Sequence, residues 1–146
     1  MAKINDAGSA ISVDAIEVLE SWLESSLPRS YREFLMNYGG GYPEPDCYRF
    51  AGEKEGSDVQ RFYGLNRSDS YDLVKILKVF DDRIPKELMP IARDSGGNQI
   101  CIGLRGVYRE KIYFWDHEQS PSHHGKQFEL KLIASSFVEF LQSLEE

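Results

Sequence analysis

The sequence predicts an α+β fold, a central, mostly antiparallel sheet covered by helices, with one helix toward each end of the chain. Three observations predict it. Four stretches, near residues 12–24, 28–38, 69–80 and 136–144, carry apolar side chains at helical spacing. The short Ile-, Tyr- and Phe-rich runs after residue 88 are separated by turn sequences, as in a meander, with nothing that reads as a βαβ crossover series. The chain of 146 residues suits one domain, able to bury roughly 68–70% of its unfolded surface without a disulfide.

Residues 1–11 mix Gly, Ser, Ala and Asn without a sustained pattern and read as a loose leader, so the domain is expected to span residues 12–146. Ser12 is a natural N-cap for the first helix, in which Ile16, Leu19 and Leu23 make an apolar row and Asp14 sits in the dipole-favoured first turn. Asp14, Glu17, Glu20 and Glu24 line another face. That pattern suits an ordinary surface helix and equally an acidic stripe turned toward a partner. Pro28 at a first helical position opens the second helix, whose stripe is Tyr31, Phe34, Leu35 and Tyr38, a core pattern. Gly39, Gly40 and Gly41 stop it, since glycine accepts the positive φ of a C-cap, and Pro43 and Pro45 keep the chain from resuming the helix.

Strands are expected over residues 47–51 and 59–63, flanking a polar tip at residues 52–56. A third helix from about Asp69 presents Leu73, Ile76, Leu77 and Phe80, and is closed by Asp81, Asp82 and Pro85. The meander follows over residues 89–92, 99–104 and 111–115, the last ending at Trp115. Its first turn, Asp94-Ser95-Gly96-Gly97-Asn98, has the composition of a hairpin loop with positive φ at Gly96 or Gly97. Phe128, Leu130 and Leu132 alternate with polar residues as a fourth strand, half solvated. The last helix carries Ser136 and Glu139 at capping-box spacing, then Phe137, Phe140, Leu141 and Leu144.

Composition excludes several functions. A hydrophobic fraction of 41% and a charged fraction of 28% describe a folded chain. No apolar run approaches the roughly 20 residues of a membrane helix, and the N-terminus has no basic-then-apolar signal pattern, so a cytoplasmic protein without membrane contact is expected. Seventeen basic and 24 acidic residues give a net charge of −7, which repels nucleic-acid phosphates in the absence of a basic stripe. Residues 1–58 hold 11 acids against 5 bases. That concentration would steer a basic partner if those residues present one surface.

No constellation spells out a reaction. All three histidines, His117, His123 and His124, lie in the loop after Trp115, beside Asp116 and Glu118. They lack HExxH spacing or a rigid mount, so a solvated loop is expected over a metal site, with Asp116 turned onto backbone N–H groups. Cys47 and Cys101 form no CxxC pair and read as buried free thiols. There is no GxSxG elbow, no P-loop and no GxGxxG; no cofactor, metal or catalytic residue is expected.

Three segments resemble the SUKH superfamily, the Smi/Knr-like proteins. Leu27-Pro28-Arg29-Ser30-Tyr31-Arg32-Glu33-Phe34-Leu35, ending in Tyr38-Gly39-Gly40-Gly41, is similar to the family's LPxxYxxFLxxxGG signature. Residues 84–101, with Pro85, Asp94, Gly97 and Asn98, resemble its IPxxLxPIAxDxGGNxIC block, and residues 111–118 its VYFWDHE strand. The resemblance implies an α+β fold and, for bacterial members, a non-enzymatic immunity protein that neutralises a cognate toxin, often a nuclease; eukaryotic relatives are tied to cell-wall regulation and scaffolding. The expected partner is therefore a basic toxin domain. The expected contact residues are Asp14, Glu17, Glu20, Glu24, Glu44, Asp46, Glu53, Glu55, Asp58, Asp116, His117 and Glu118. A signalling or scaffold module, and a metal-dependent hydrolase built on the histidine loop, are the alternatives.

Overall fold

The computed structural model describes residues 2–118 and 130–146. At its centre lie five antiparallel strands in chain order: Arg61–Phe62, Leu88–Arg93, Gln99–Gly103, Ile112–Trp115 and Leu130–Ala134. Two short ribbons precede them. Numbered along the chain, the strands are β1 (Lys3–Asn5), β2 (Tyr42–Glu44), β3 (Cys47–Arg49), β4 (Gly56–Asp58) and then β5 to β9 for the central five. β1 pairs with β2, and β3 with β4, both antiparallel. Among the described residues the α-helices are α1 (Val13–Leu23), α2 (Arg29–Tyr38), α3 (Leu73–Val79) and α4 (Phe137–Ser143). The α+β expectation is met, and helices cover both faces of the sheet.

Register explains the two-sided core. Ile102 pairs with Ile112 and Ile100 with Phe114, so these side chains share one face. There they join Ile16, Leu19, Tyr31, Phe34, Leu35, Phe137 and Phe140 from α1, α2 and α4. Cys101 and Trp115 alternate to the other face, where they pack with Leu88 and with Phe80 and Ile84, which follow α3. Because both faces are covered, β6 and β7 read as nearly continuous apolar runs. Phe34, Phe62 and Phe137 meet with ring centroids 4.8–6.1 Å apart at steep angles, the arrangement their quadrupoles favour.

Local chemistry behaves as the sequence predicts at several ends. Ser12 accepts the N–H of Ala15 at 3.2 Å, and Ser136 accepts that of Glu139 at 3.1 Å. Gly39 caps α2 with φ of 60° and donates to the Leu35 carbonyl at 2.9 Å. The three glycines also bring backbones together. A Cβ on Gly41 would lie 2.6 Å from the Asn5 carbonyl oxygen, and one on Gly64 would lie 1.8 Å from that of Gly39.

Five expectations need correction. The segment before the first helix is tied down: Lys3–Asn5 pair with Tyr42–Glu44, and buried Ile11 donates its N–H to Met36 at 2.9 Å. A strand of three residues has too little pattern to read, and its partner is distant in the chain. Pro28 is the N-cap of α2, one position earlier than expected, leaving Arg29 as the first helical residue. The third helix starts at Leu73, because Asp72 caps it by accepting the N–H of Lys75 at 3.2 Å. The expected strand at 59–63 shortens to Arg61–Phe62, which opens the central sheet, and the partner of β3 is instead Gly56–Asp58, earlier in the chain and overlapping the expected polar tip. In β9, Leu132 is exposed while Ile133 and Ala134 are buried. Leu130 and Leu132 pair with Trp115 and Tyr113 and share one face, as their alternation predicts, but only Leu130 packs against the Trp115 cluster; beyond them Ile112 pairs with Ala134, so one extra residue breaks the alternation and Ile133 and Ala134 are both buried. Phe128, and the polar residues beside it, lie outside the described residues.

Candidate functional site

The acids of α1 divide by what their side chains meet. Asp14, Glu17 and Glu24 are exposed and take part in no ion pair among the described residues. Glu20 is different. One carboxylate oxygen accepts the N–H of Leu27 at 2.7 Å, and the other faces the Arg32 guanidinium at 3.4 Å. It closes the turn between α1 and α2 and is mostly buried, so its charge serves the fold. The sequence could not separate it from its neighbours, since Arg32 approaches only when the two helices pack.

The acids between residues 44 and 58 line the two ribbons. Glu44 accepts from the Asn5 amide at 3.4 Å across the β1–β2 pair. Asp46 and Glu55 are exposed, and Glu53 lies 3.9 Å from the Lys131 ammonium, a surface pair of small energetic weight. Asp58 is engaged internally, accepting the Ser95 N–H at 3.0 Å and also the Ser95 hydroxyl. It anchors the β6–β7 turn.

That turn is organised by Asp94, which is buried. One oxygen accepts the N–H of Gly96 at 2.9 Å and that of Asn98 at 2.8 Å; the other accepts the Asn98 amide at 3.0 Å and the Ser57 hydroxyl at 2.8 Å. Gly97 supplies the positive φ, 86°. Asn98 then reaches to His117, its side-chain oxygen 2.8 Å from Nδ1 and accepting the backbone N–H at 3.2 Å. Arg83 donates to the His117 carbonyl. Asp116 accepts the N–H of Glu118 at 2.9 Å, the expected Asx turn. So residues 116–118 are held by a chain of hydrogen bonds running from Asp94. His123 and His124 lie outside the described residues. Among the described residues no group of three or more His, Cys, Asp and Glu side chains is placed to hold a metal.

Both cysteines are free. Cys101 is buried as expected, and burial pushes its thiol far up. Cys47 corrects the expectation, being only partly buried at the start of a surface ribbon. Its thiol is also raised, by desolvation first and then by the carboxylates of Asp46, Asp58 and Glu145. Neither is an activated nucleophile.

One feature escapes the acid count. Trp22 is 53% exposed and Val18, one turn before it, 70% exposed. They project away from the buried row Ile16 and Leu19. Trp22 stands at the mouth of a groove of about 270 Å³ floored by Leu77, Phe80, Ile84, Leu88 and Pro90. Glu24, Asp81, Lys86 and Arg105 supply its polar margin. The Arg105 guanidinium donates to the Leu23 carbonyl at 2.8 Å, tying the end of α1 to the loop after β7. A signal for it existed: Trp22 falls outside the apolar row of its own helix. The far wall comes from residues 77–90 and was not legible.

No helix among the described residues is long and apolar enough to cross a membrane. Compared with known proteins, the chain is 38% identical over 160 aligned positions to the SPbeta prophage-derived uncharacterized protein YokK of Bacillus subtilis (strain 168), an alignment covering 95% of this chain and 79% of the relative. Residues 10–143 match the SMI1 / KNR4 family (SUKH-1). That span includes the double-glycine end of α2, the Asp94 turn and the Trp115 strand, and the chain belongs to the SMI1 / KNR4 family, SUKH-1.

Proposed function

We propose that this protein works by stoichiometric binding, as an immunity-type member of its family that occupies a basic toxin domain and blocks it. The observation that carries the reading is the outer face of α1, where Asp14, Glu17 and Glu24 stand exposed beside Trp22 and outside every ion pair among the described residues. Unpaired carboxylates on a chain of net charge −7 steer a cationic partner and raise the rate of encounter. An exposed tryptophan supplies desolvated contact area, the usual source of affinity. Asp46, Glu55 and Glu118 are further exposed acids, whereas Glu20 and Asp58 contribute to the fold. The protein is expected to act in the cytoplasm, ahead of toxin damage, with no covalent step of its own.

The test is co-expression with the basic C-terminal domain of a large modular protein encoded beside it. The expected result is rescue of growth and a stable complex whose affinity falls steeply as salt rises past the point where the Debye length is about 8 Å. Absence of rescue, or an affinity indifferent to salt, overturns the proposal.

A further inference from the structure

We infer that His117 is a partner-contact residue, held by Asn98 in the Nδ1–H tautomer so that its Nε2 lone pair accepts a hydrogen bond from a Lys or Arg side chain of the basic partner. The inference rests on the reading above, that the protein acts by occupying a cationic partner, and deepens it by naming one contact and its chemistry.

Hydrogen bonding fixes the tautomer. Asp94 accepts the Asn98 amide N–H at 3.0 Å, which turns Nδ2 toward Asp94 and leaves Oδ1 for His117. That oxygen accepts the His117 backbone N–H at 3.2 Å and lies 2.8 Å from Nδ1. The backbone N–H settles which end of the amide faces the histidine. A carbonyl oxygen has no proton to give, so Nδ1 carries the hydrogen, and in the neutral imidazole the lone pair is then on Nε2. Nε2 has no hydrogen-bond partner among the described residues. Arg83 holds the His117 carbonyl, and the ring lies beside Gly97, where a Cβ would be 3.8 Å from Nε2. A half-buried side chain fixed at its N–H, its carbonyl and Nδ1 has lost most of its freedom before a partner arrives, which lowers the cost of binding.

Charge selects the donor. The turn and its supports carry four carboxylates, Asp58, Asp94, Asp116 and Glu118, against two guanidiniums, Arg83 and Arg93. None of the six belongs to an ion pair among the described residues. Bonds from neutral N–H and O–H groups leave the carboxylate charges in place, so the surroundings of the ring stay negative. A cationic N–H then makes the stronger bond to Nε2 and offsets the excess charge. The turn also connects to the α1 surface. Phe80 lines the groove beside Trp22, Arg83 stacks on the Phe80 ring at 5.3 Å, and the same guanidinium reaches the His117 carbonyl.

Nitrogen NMR of the full chain carrying isotope-labelled histidine, with the imidazole neutral, tests the first step. His117 should be the Nδ1–H tautomer in the parent and shift toward Nε2–H, the form histidine prefers in water, in Asn98→Ala. The second step is read with the basic toxin domain encoded beside this protein, whose addition should move the parent's Nε2 resonance. His117→Asn keeps an N–H for Asn98 but has nothing at Nε2; it should melt with the parent and bind at least about tenfold more weakly. His117→Gln, which places a carbonyl oxygen near the Nε2 position, should recover part of that loss, and Val138→Ala, an exposed apolar change on α4, should bind as the parent does. An Nε2–H tautomer in the parent, an Nε2 resonance unmoved by the toxin domain, or equal binding by parent and His117→Asn overturns the inference. If the parent still neutralises the toxin in any of these cases, the proposed function stands. A parent that neither binds nor neutralises the toxin domain overturns the proposed function and the contact with it.

Discussion

Replacing Asp94 with alanine removes the acceptor for four hydrogen bonds, from the N–H groups of Gly96 and Asn98, the Asn98 amide and the Ser57 hydroxyl, all between 2.8 and 3.0 Å. Charge-assisted bonds contribute about 1.5–3 kcal/mol each, so simple addition reaches roughly 6–12 kcal/mol. Two facts lower that figure. Gly96 is exposed, so its freed N–H finds water, and the turn keeps its backbone bonds from Asp94 N–H to the Asn98 carbonyl at 3.0 Å and from Gly97 N–H to the Asp94 carbonyl at 3.2 Å. The part-buried Ser57 and Asn98 contacts do not recover as easily, and the expected loss is about 3 kcal/mol. For a chain of this length that lowers the melting temperature by roughly 6–12 °C. Asp94→Asn keeps one acceptor oxygen for the two backbone N–H groups but turns a donor toward Ser57 and Asn98, so it should cost about 1–2 kcal/mol. Urea unfolding followed by far-UV circular dichroism measures both. Release of Asn98 should also free His117, visible as a change in the imidazole resonances of the Asp94→Ala protein. An alanine variant within about 0.5 kcal/mol of the parent, or an asparagine variant as damaged as the alanine one, would refute the reasoning.

Gly64→Ala should cost more than about 3 kcal/mol, because its Cβ would meet the Gly39 carbonyl oxygen at 1.8 Å; Gly52→Ala, at φ of 74° with open space around it, should cost about 1 kcal/mol, and soluble yield with a melting curve separates them. Burial raises the phenol groups of Tyr31, Tyr48 and Tyr63 well above the ordinary tyrosine value of 10.0. The folded state therefore holds their protons more tightly than the unfolded chain, so this contribution is full below pH 10.0 and declines as pH rises above it. Absorbance of tyrosinate should show three of the eight tyrosines ionising only as the chain unfolds, and all eight ionising near pH 10.0 in the folded state would contradict it. Cys47 should react with a disulfide reagent more slowly than a free cysteine and faster in Asp46→Asn, whose lost charge no longer opposes the thiolate, while Cys101 should react only on unfolding. Equal rates for the two Cys47 proteins would show that Asp46 does not act on the thiol.

What the amino-acid order determined by itself is local. Ser12 and Ser136 reach N–H groups three positions away, Gly39 turns the chain at one residue, and Asp94 to Asn98 closes a loop on itself. Such interactions span less than two helical turns, so residue type and spacing suffice to read them. The meander was legible for the same reason, since each strand pairs with the next. The family motifs likewise lay in unbroken segments.

Tertiary structure decided everything that depends on a distant segment. β1 exists because Tyr42–Glu44 arrive beside it, and Ile133 and Ala134 are both buried because an extra residue shifts the pairing with β8. The same holds for the surface a partner would meet. Glu20 and Glu17 look alike in sequence, yet packing of α2 turns Arg32 and the Leu27 N–H onto the first and leaves the second in solvent. Trp22 becomes the edge of a groove only when the residues from Leu77 to Pro90 supply the opposite wall. Periodicity reports which side of an element is apolar; which apolar side chains stay uncovered depends on the area that the remaining elements can reach and bury.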